Sequence, residues 1–423
     1  MILLIQPRDP LIVRDGRPFS AFPGAKVRGY SFPPPQVIAG AVRSRVGLAC
    51  GYREEDRGKW QDLLSGIRVE GPLLLDKTDK KVLFAAPLDA LLIKTDFGEG
   101  ASCREQHPPQ QHAKNEQAGY RLYRLKPEPV AEEAQTNLPA GLHPVFAPQN
   151  MPKAKPAPMP PFWHPERFFS WLLDSADLKE GLELKEPGEL GIVGPATETR
   201  THVKIEAVAQ TAEESMLFET SGLEFLYAKG SPNTQEGNRT PGSPTRLALL
   251  HELALLVRVS GSPNGCPQAA EALFGVHPLG GERRLALWEE GGEDLWPAQT
   301  NREEIFEAVR ENKRVRVILL TPADFNSEAN EKPYLPPAGS FGGARIKAAA
   351  IGRPLTVSGW DMLAGKPKPS RRLVPAGSVY FVDLSEVQNV ETWLEEHWMK
   401  VLPEQTDQSK HDGYGLAVVG VWR

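Results

Sequence analysis

The chain opens on an apolar run, and the segment from Ile2 to Val13 reads as a strand. Pro33-Pro34-Pro35 follows, where proline's fixed φ and missing N–H suit the first turn of a helix. Ile38, Ala41, Val42, Val46 and Ala49 then recur at helical spacing, which puts Gly40, Arg43 and Gly47 on the other face. Two strands are expected next, over 66–75 and 81–93, giving the order β-α-β-β. After Pro165, Phe168, Phe169, Trp171, Leu172 and Leu173 predict a short aromatic-rich helix. Strands beyond it would complete a β-α-β-β-α-β unit, the ferredoxin-like order.

The second half repeats the rhythm without repeating the sequence. Leu255, Val257 and Val259 alternate as in a strand, and 267–274 reads as a short helix. Thr300 and Glu303 form a capping-box pattern ahead of Ile305, Phe306 and Val309, and Val315 to Leu320 is a strand. Ser385 and Gln388 make a second capping pattern. Val387, Val390, Trp393, Leu394 and Trp398 then form an amphipathic helix, and Leu416 to Trp422 closes the chain as an apolar strand. The expected fold class is α+β: tandem ferredoxin-like (RRM-like, βαββαβ) domains with long insertions. Residues 1–228 would form the first, with an irregular Gln-, Asn- and Pro-rich insertion near 95–161, and 246–423 the second. The polar stretch 229–245 reads as a hairpin tip or a disordered link.

Composition narrows the function. The 423 residues are 40% apolar, enough for sizeable cores, and no apolar run reaches membrane-spanning length. The start lacks a basic region and a small-residue cleavage site, so it reads as a strand and not a secretion signal, and a cytoplasmic location is expected. Cys50, Cys103 and Cys266 are far apart, which argues against a disulfide framework or a cysteine-rich zinc site. Lys and Arg number 49 against 54 Asp and Glu, a net of −5, which does not suit a general nucleic-acid binder. The distribution does. Residues 1–50 hold seven basic groups against Asp9 and Asp15, and residues 341–372 hold seven against Asp361. Two basic islands in an acidic chain suggest one polyanion-facing surface, unless they merely solvate strand faces.

Several short motifs carry these charges. In Arg14-Asp15-Gly16-Arg17-Pro18-Phe19 two guanidinium groups flank a turn dipeptide, placed to fork onto phosphate oxygens; an ordinary polar turn is the plainer alternative. Lys26 and Arg28 follow closely, and Arg43 lies on the helix after the prolines. In Arg200-Thr201-His202-Val203-Lys204-Ile205, the basic side chains Arg200, His202 and Lys204 would share one strand face above a buried one, as an RNA-backbone track or a solvated edge. Gly280 and Gly281 precede Arg283 and Arg284, which are expected on opposite faces of the strand that follows; Gly342 and Gly343 precede Arg345 and Lys347; Gly413 and Gly415 lie near the end. Glycine-rich turns present backbone N–H groups as anion nests.

Together these segments resemble the RAMP-superfamily proteins that form the third subunit of the Cmr complex of type III-B CRISPR systems. The residues that carry the resemblance are Pro7-x-Asp9-Pro10, 14–19, Phe32 to Ala41, Arg200 to Val203, 214–224, Leu279 to Arg284 and 374–381, in the expected order over most of the chain. The resemblance implies tandem ferredoxin-like domains with glycine-rich loops near RNA. It implies that the chain holds the crRNA 5′ handle beside the large polymerase-like subunit and an adjacent backbone RAMP subunit. Gly413, Gly415 and Gly420 match the superfamily's glycine-rich loop only in part.

Some relatives in that superfamily are metal-independent endoribonucleases that use an early histidine, and processing of CRISPR RNA is the alternative reading. Here no histidine precedes His107, which lies in the irregular stretch; His202 and His411 are the better-placed candidates. A histidine beside basic residues more often binds or packs than catalyses. Cys103, His107 and His112 lack a fourth ligand for a metal. The expectation is therefore a subunit with no catalytic residue, no metal and no cofactor, whose RNA contacts come from Arg14, Arg17, Lys26, Arg28, Arg43, Arg200, His202, Lys204, Arg283, Arg284, Arg345 and Lys347. A scaffold that touches only protein remains the third class.

Overall fold

The strand Ile2–Pro7 is buried along its whole length in the computed structural model. Successive side chains of a strand point to opposite faces, and here both faces are covered: Ile2 and Leu4 enter one hydrophobic core, Leu3 and Ile5 another. That explains the unbroken apolar run. The structure describes all residues except 16–24, 27–28, 54, 97–117, 130–135, 150, 175–180, 207–208, 230–248, 262–269, 327–333, 338–340, 362–364 and 404.

Ile2–Pro7 pairs antiparallel with Leu249–Ser260 on one side and Leu285–Gly291 on the other. The sheet continues through Arg68–Asp76, Lys81–Ala85, Phe162–Trp163 and Gly191–Ile192 on the first side and ends at Gly275–Pro278 on the second. Pairing therefore does not break at 228/246. The strand at 249–260, expected to open a second unit, lies in the middle of the first sheet, between the strands expected to start the first unit. Hydrophobic pairing explains it: Leu253, Leu255 and Val257 are fully buried there. The strand expected over 81–93 also divides. Lys81–Ala85 stays in this sheet, while Ala90–Asp96 turns away to pair with Ala118–Arg124, inside the stretch expected to be irregular. Pro87 and the buried Asp89 lie at the break.

A second, five-stranded antiparallel sheet runs Arg345–Ala350, Val379–Asp383, Arg314–Leu319, Leu416–Val421, Lys400–Val401. The helices Arg302–Asn312 and Val390–His397 stand on it, close to where the sequence put them. Asn389, and not Ser385, caps the second of these, accepting from Thr392 N at 3.1 Å. Helix Pro165–Leu173 buries Phe168, Phe169, Trp171 and Leu172 in a core that draws on both sheets. Cys50 is disulfide-bonded, unlike the expectation from three scattered cysteines.

A buried ionic cluster lies between the helix Pro165–Leu173 and the second sheet. The Arg316 guanidinium donates to Asp89 Oδ2 at 2.7 Å, to Val421 O at 2.8 Å and to Trp171 O at 2.5 Å. Asp89 accepts from Trp171 Nε1 at 2.9 Å through its other oxygen. Arg124 lies 4.0 Å over the Trp171 ring and pairs with Asp174. Burial, helped by the charge of Arg316, pushes the Arg124 guanidinium down to about 9, so it is still a cation at neutral pH. Two cations and two anions balance inside the core.

Candidate nucleic-acid interface

Three segments distant in sequence meet beside the outer strands of the first sheet. The chain leaving Ile2–Pro7 is held by Leu285, whose carbonyl accepts from Arg8 N at 2.9 Å and whose N–H donates to Asp9 Oδ2 at 3.0 Å. Leu11 and Leu223 exchange backbone bonds at 2.8 and 2.9 Å, which ties this chain to the root of a hairpin formed by Ala196–Ile205 and Ala212–Glu224. Gly222 lies against Pro10, where a Cβ would come within 2.8 Å of the ring. The turn at 279–284 docks on the same chain: Gly281 N donates to Ile12 O at 2.7 Å.

That turn needs unusual backbone. Gly280 has φ +72°, and a Cβ there would meet Ile12 O at 2.6 Å. Glu282 and Arg283 also sit at positive φ, +56° and +52°, where a Cβ is penalised. Arg283 is thus part of a left-handed turn, not the start of a strand; the strand begins at Leu285. Left-handed residues of this kind cluster where function over-determines the backbone. Arg283→Gly should stabilise the fold by about 0.5–1 kcal/mol, and Arg283→Ala, which keeps the Cβ, should not. Urea unfolding of both variants checks this; equal effects would mean that the side chain and not the backbone sets the cost.

The cluster is charged but nearly neutral. Arg14 lies 3.9 Å from Glu282, and Arg284 lies 3.0 Å from it. Arg200 forks onto Glu198 through Nε and Nη2, the latter at 3.2 Å. The hydrogen bond from Arg200 holds the Glu198 carboxyl below its ordinary value, with Arg284 contributing. Arg200 is raised by that same bond and feels Asp9 and Glu282 as well. Four arginines (14, 200, 283 and 284) thus face three carboxylates (Asp9, Glu198 and Glu282).

Other sequence-chosen residues fare differently. His202 Nε2 lies 2.7 Å from Thr220 Oγ1, and its ring stacks on Phe218 at 5.1 Å and 15°. Those two partners come from the opposite hairpin arm, which sequence spacing cannot reveal. Lys204 is exposed, and so are Val203 and Ile205 on the other face, so this strand has no buried stripe beneath its basic one. The arm stands away from the core, paired only along its length.

Arg43 is the clearest correction. It is 3% exposed, donates to Ile67 O at 2.9 Å and His411 O at 2.7 Å, and forms an ion pair with Asp412. It has no surface to offer RNA. Gly413 and Gly415 are buried too, packed against the Val69 carbonyl and the Gln405 side chain, so they cannot form an anion nest at the surface. Gly342 and Gly343, at φ +56° and +89°, make an exposed turn, but Arg345 and Lys347 beyond it lie on the second sheet, paired with Glu386 at 2.7 Å and Asp383 at 3.8 Å. Lys26 lies in the short strand Ala25–Lys26, paired with the hairpin arm Ala212–Glu224. Arg17 and Arg28, together with Cys103, His107 and His112, lie outside the described residues.

One group among the described residues has the spacing of a metal site: Asp76, Asp79 and His251. Asp76 is occupied structurally. Its Oδ1 accepts from Thr78 N and Asp79 N, both at 3.0 Å, closing the turn between two strands, and its Oδ2 lies 2.9 Å from His251 Nδ1.

The surface is therefore one that could follow a polyanion without itself being strongly cationic. Comparisons with known proteins bear on it. No curated protein matches the chain. It is similar to a chain in a cryo-EM structure of the type III-B Cmr-beta bound to cognate target RNA and AMPPnP, with 13% identity, 90% of this chain and 86% of that chain covered, and a TM-score of 0.43. A second structure, of type III-B Cmr-beta bound to cognate target RNA, gives 12% identity, the same coverage and a TM-score of 0.44. A crystal structure of a Csm3-Csm4 subcomplex of the type III-A CRISPR-Cas interference complex gives 10% identity, 92% and 95% coverage and 0.36. A family model described as CRISPR-associated protein (Cas_Cmr3) matches residues 3–422. The match takes in the strand Ile2–Pro7 from its second residue, the hairpin and the turn at 279–284 alike, and the chain belongs to the Cas_Cmr3 family.

Proposed function

We propose that this chain is a non-catalytic, crRNA-binding subunit of a type III-B CRISPR effector complex, and that it caps the 5′ handle of the guide. The observation that carries this reading is the meeting of 8–14, 196–224 and 279–284, three motif-bearing segments, at one place. A defined single-stranded end needs phosphate contacts for register and splayed bases for identity, and arginine serves both. Its neighbours would be the large polymerase-like subunit and an adjacent backbone RAMP subunit, in the cytoplasm; no helix among the described residues is long and apolar enough to cross a membrane. Tandem ferredoxin-like units remain our description of the ancestry of the two sheets, with 249–291 assigned to the first. The engagement of His202 with Thr220 and Phe218 favours a binding over a nuclease role for it.

The near neutrality of the cluster makes the test specific. RNA must displace Glu198 and Glu282 from their arginines. Arg14→Ala and Arg200→Ala, in the assembled complex, should each weaken guide retention and lower the slope of log affinity against log salt by about 0.7. Glu198→Gln should do the reverse and tighten retention, because it frees Arg200. Both effects should be alike for guides of any spacer sequence. Unchanged retention and slope for all three variants would place the handle elsewhere.

A further inference from the structure

Between the strands of the second sheet the chain sends out a finger, built from two short paired segments. Leu355–Val357 pairs with Arg371–Leu373, and beyond them Trp360–Asp361 pairs with Lys366–Pro367. The base of the finger is anchored to the first half. Val357 and Leu373 are buried in the core that faces the helix Pro35–Ala49. Tyr30 Oη donates to Thr356 O at 3.0 Å and Gln36 Nε2 to Ser358 O at 2.6 Å. Arg371 is spent on this anchoring, paired with Asp324 and donating to Gln36 Oε1 at 3.1 Å.

The outer part is different. Of nine tryptophans, Trp360 alone is exposed, at 57%, and among the described residues its ring stacks on nothing. Lys366, Lys368 and Arg372 are exposed around it, and among the described residues none of the three has an ion pair. This sets the finger apart from Arg14, Arg200, Arg284, Arg345 and Lys347, each of which has a carboxylate partner. An exposed indole costs solubility, and unpaired cations beside it repel one another. Both are relieved by a ligand that brings a flat π-face and a negative charge on each repeat.

We propose that Trp360 is a stacking platform for a base of single-stranded RNA, with Lys366, Lys368 and Arg372 neutralising the flanking phosphates. Aromatic stacking accepts any base, because every base has a π-face, and cations around it follow the backbone. The site rests on the RNA-binding reading above but uses a separate surface: it would hold a nucleotide by stacking and charge, without regard to sequence, while the arginine cluster fixes the end. Its anchoring across Tyr30 and Gln36 fixes the platform to the first half of the chain, on which that cluster lies.

The test uses the full chain with a fluorescent 12-nucleotide oligouridine, titrated by anisotropy from low to physiological salt. Trp360→Ala should weaken binding about 5- to 150-fold, and Trp360→Phe should restore most of it. Lys366→Gln with Lys368→Gln should lower the salt slope by about 1.4 and leave a stacking-dependent remainder. All three variants should unfold in urea at the wild-type midpoint, since the side chains are exposed. Binding by Trp360→Ala within twofold of wild type overturns the platform, and if Arg200→Ala still weakens binding in that experiment the RNA reading stands without it. A wild-type chain that binds no oligouridine overturns both. Loss of a neighbouring subunit from Trp360→Ala complexes, with RNA binding intact, would make the finger a protein contact and also overturn the proposal.

Discussion

Replacing Arg316 by methionine should destabilise the fold by about 3–5 kcal/mol. The residue is 0% exposed in the middle of Arg314–Leu319, and Asp89, its partner, is 0% exposed too. Without the guanidinium, Asp89 keeps only its bond from Trp171, and the carbonyls of Trp171 and Val421 lose a donor. A buried anion so abandoned bears its full desolvation cost, and the methionine stem cannot offset it. Adding Asp89→Asn to Arg316→Met should recover part of the loss, because the pair is then removed and not broken. Urea unfolding of the single and double variants measures both steps. A single-variant loss under about 1 kcal/mol would reduce the cluster to the worth of a surface ion pair.

A comparable loss, about 3–5 kcal/mol, should follow Arg43→Leu, and here the second readout matters more. Arg43 joins the helix Pro35–Ala49 to Ile67 and to the short helix Asp407–Asp412, with Asp412 also held by Gln408 at 2.8 Å. Removing it leaves Asp412 buried and uncompensated on the cation side. Among molecules that remain folded and assembled, guide retention and its salt slope should be those of the wild type. Arg200→Ala should show the opposite pattern: stability within about 0.5 kcal/mol of wild type, and a reduced slope. If Arg43→Leu lowers the slope in folded complexes, its guanidinium reaches phosphate and the ionic bond to Asp412 opens on assembly.

Arg43 also shows where sequence reading stops. The apolar positions Ile38, Val42 and Val46 were legible, and so was the helix. Yet Arg43 lies four residues after Ala39 and three before Val46, on a stripe those small residues widen, so helical spacing alone placed it near the core. What keeps it there is a carboxylate 369 positions away. Arg316 follows the same logic on a strand: the run Val315 to Leu319 announces a fully buried strand, and only a partner at Asp89 permits an arginine within it. Local elements such as Pro165–Leu173 and Arg302–Asn312 were readable because their signals, proline at the start and 3.6-residue periodicity, lie inside the element. Pairing between distant strands has no such signal, which is why the position of Leu249–Ser260 was missed. At the candidate site, Arg14, Arg200 and Arg284 were chosen correctly as neighbours from their motifs. Their carboxylate partners Glu198 and Glu282, two residues from an arginine in each case, were in plain view but were counted as background charge. The finger went unseen as a unit because its two paired segments are two or three residues long, below the length at which alternation can be recognised.

The place of Leu249–Ser260 at the middle of the first sheet bears on how the chain is made. Ile2–Pro7 and Arg68–Asp76 leave the ribosome early, but the strand that must lie between them follows roughly 170 residues after the second of them, on the order of ten to thirty seconds at ordinary translation rates. During that interval two strongly apolar strands have unpaired edges, the condition in which nascent chains recruit chaperones or stick to one another. Slowing elongation over the first half should therefore raise misfolding, whereas for a chain whose N-terminal sheet closes early it would lower it. A fragment ending before residue 249 should be no independently folding piece, and attempts to express the first half alone would do better to extend through the strand that ends at Gly291.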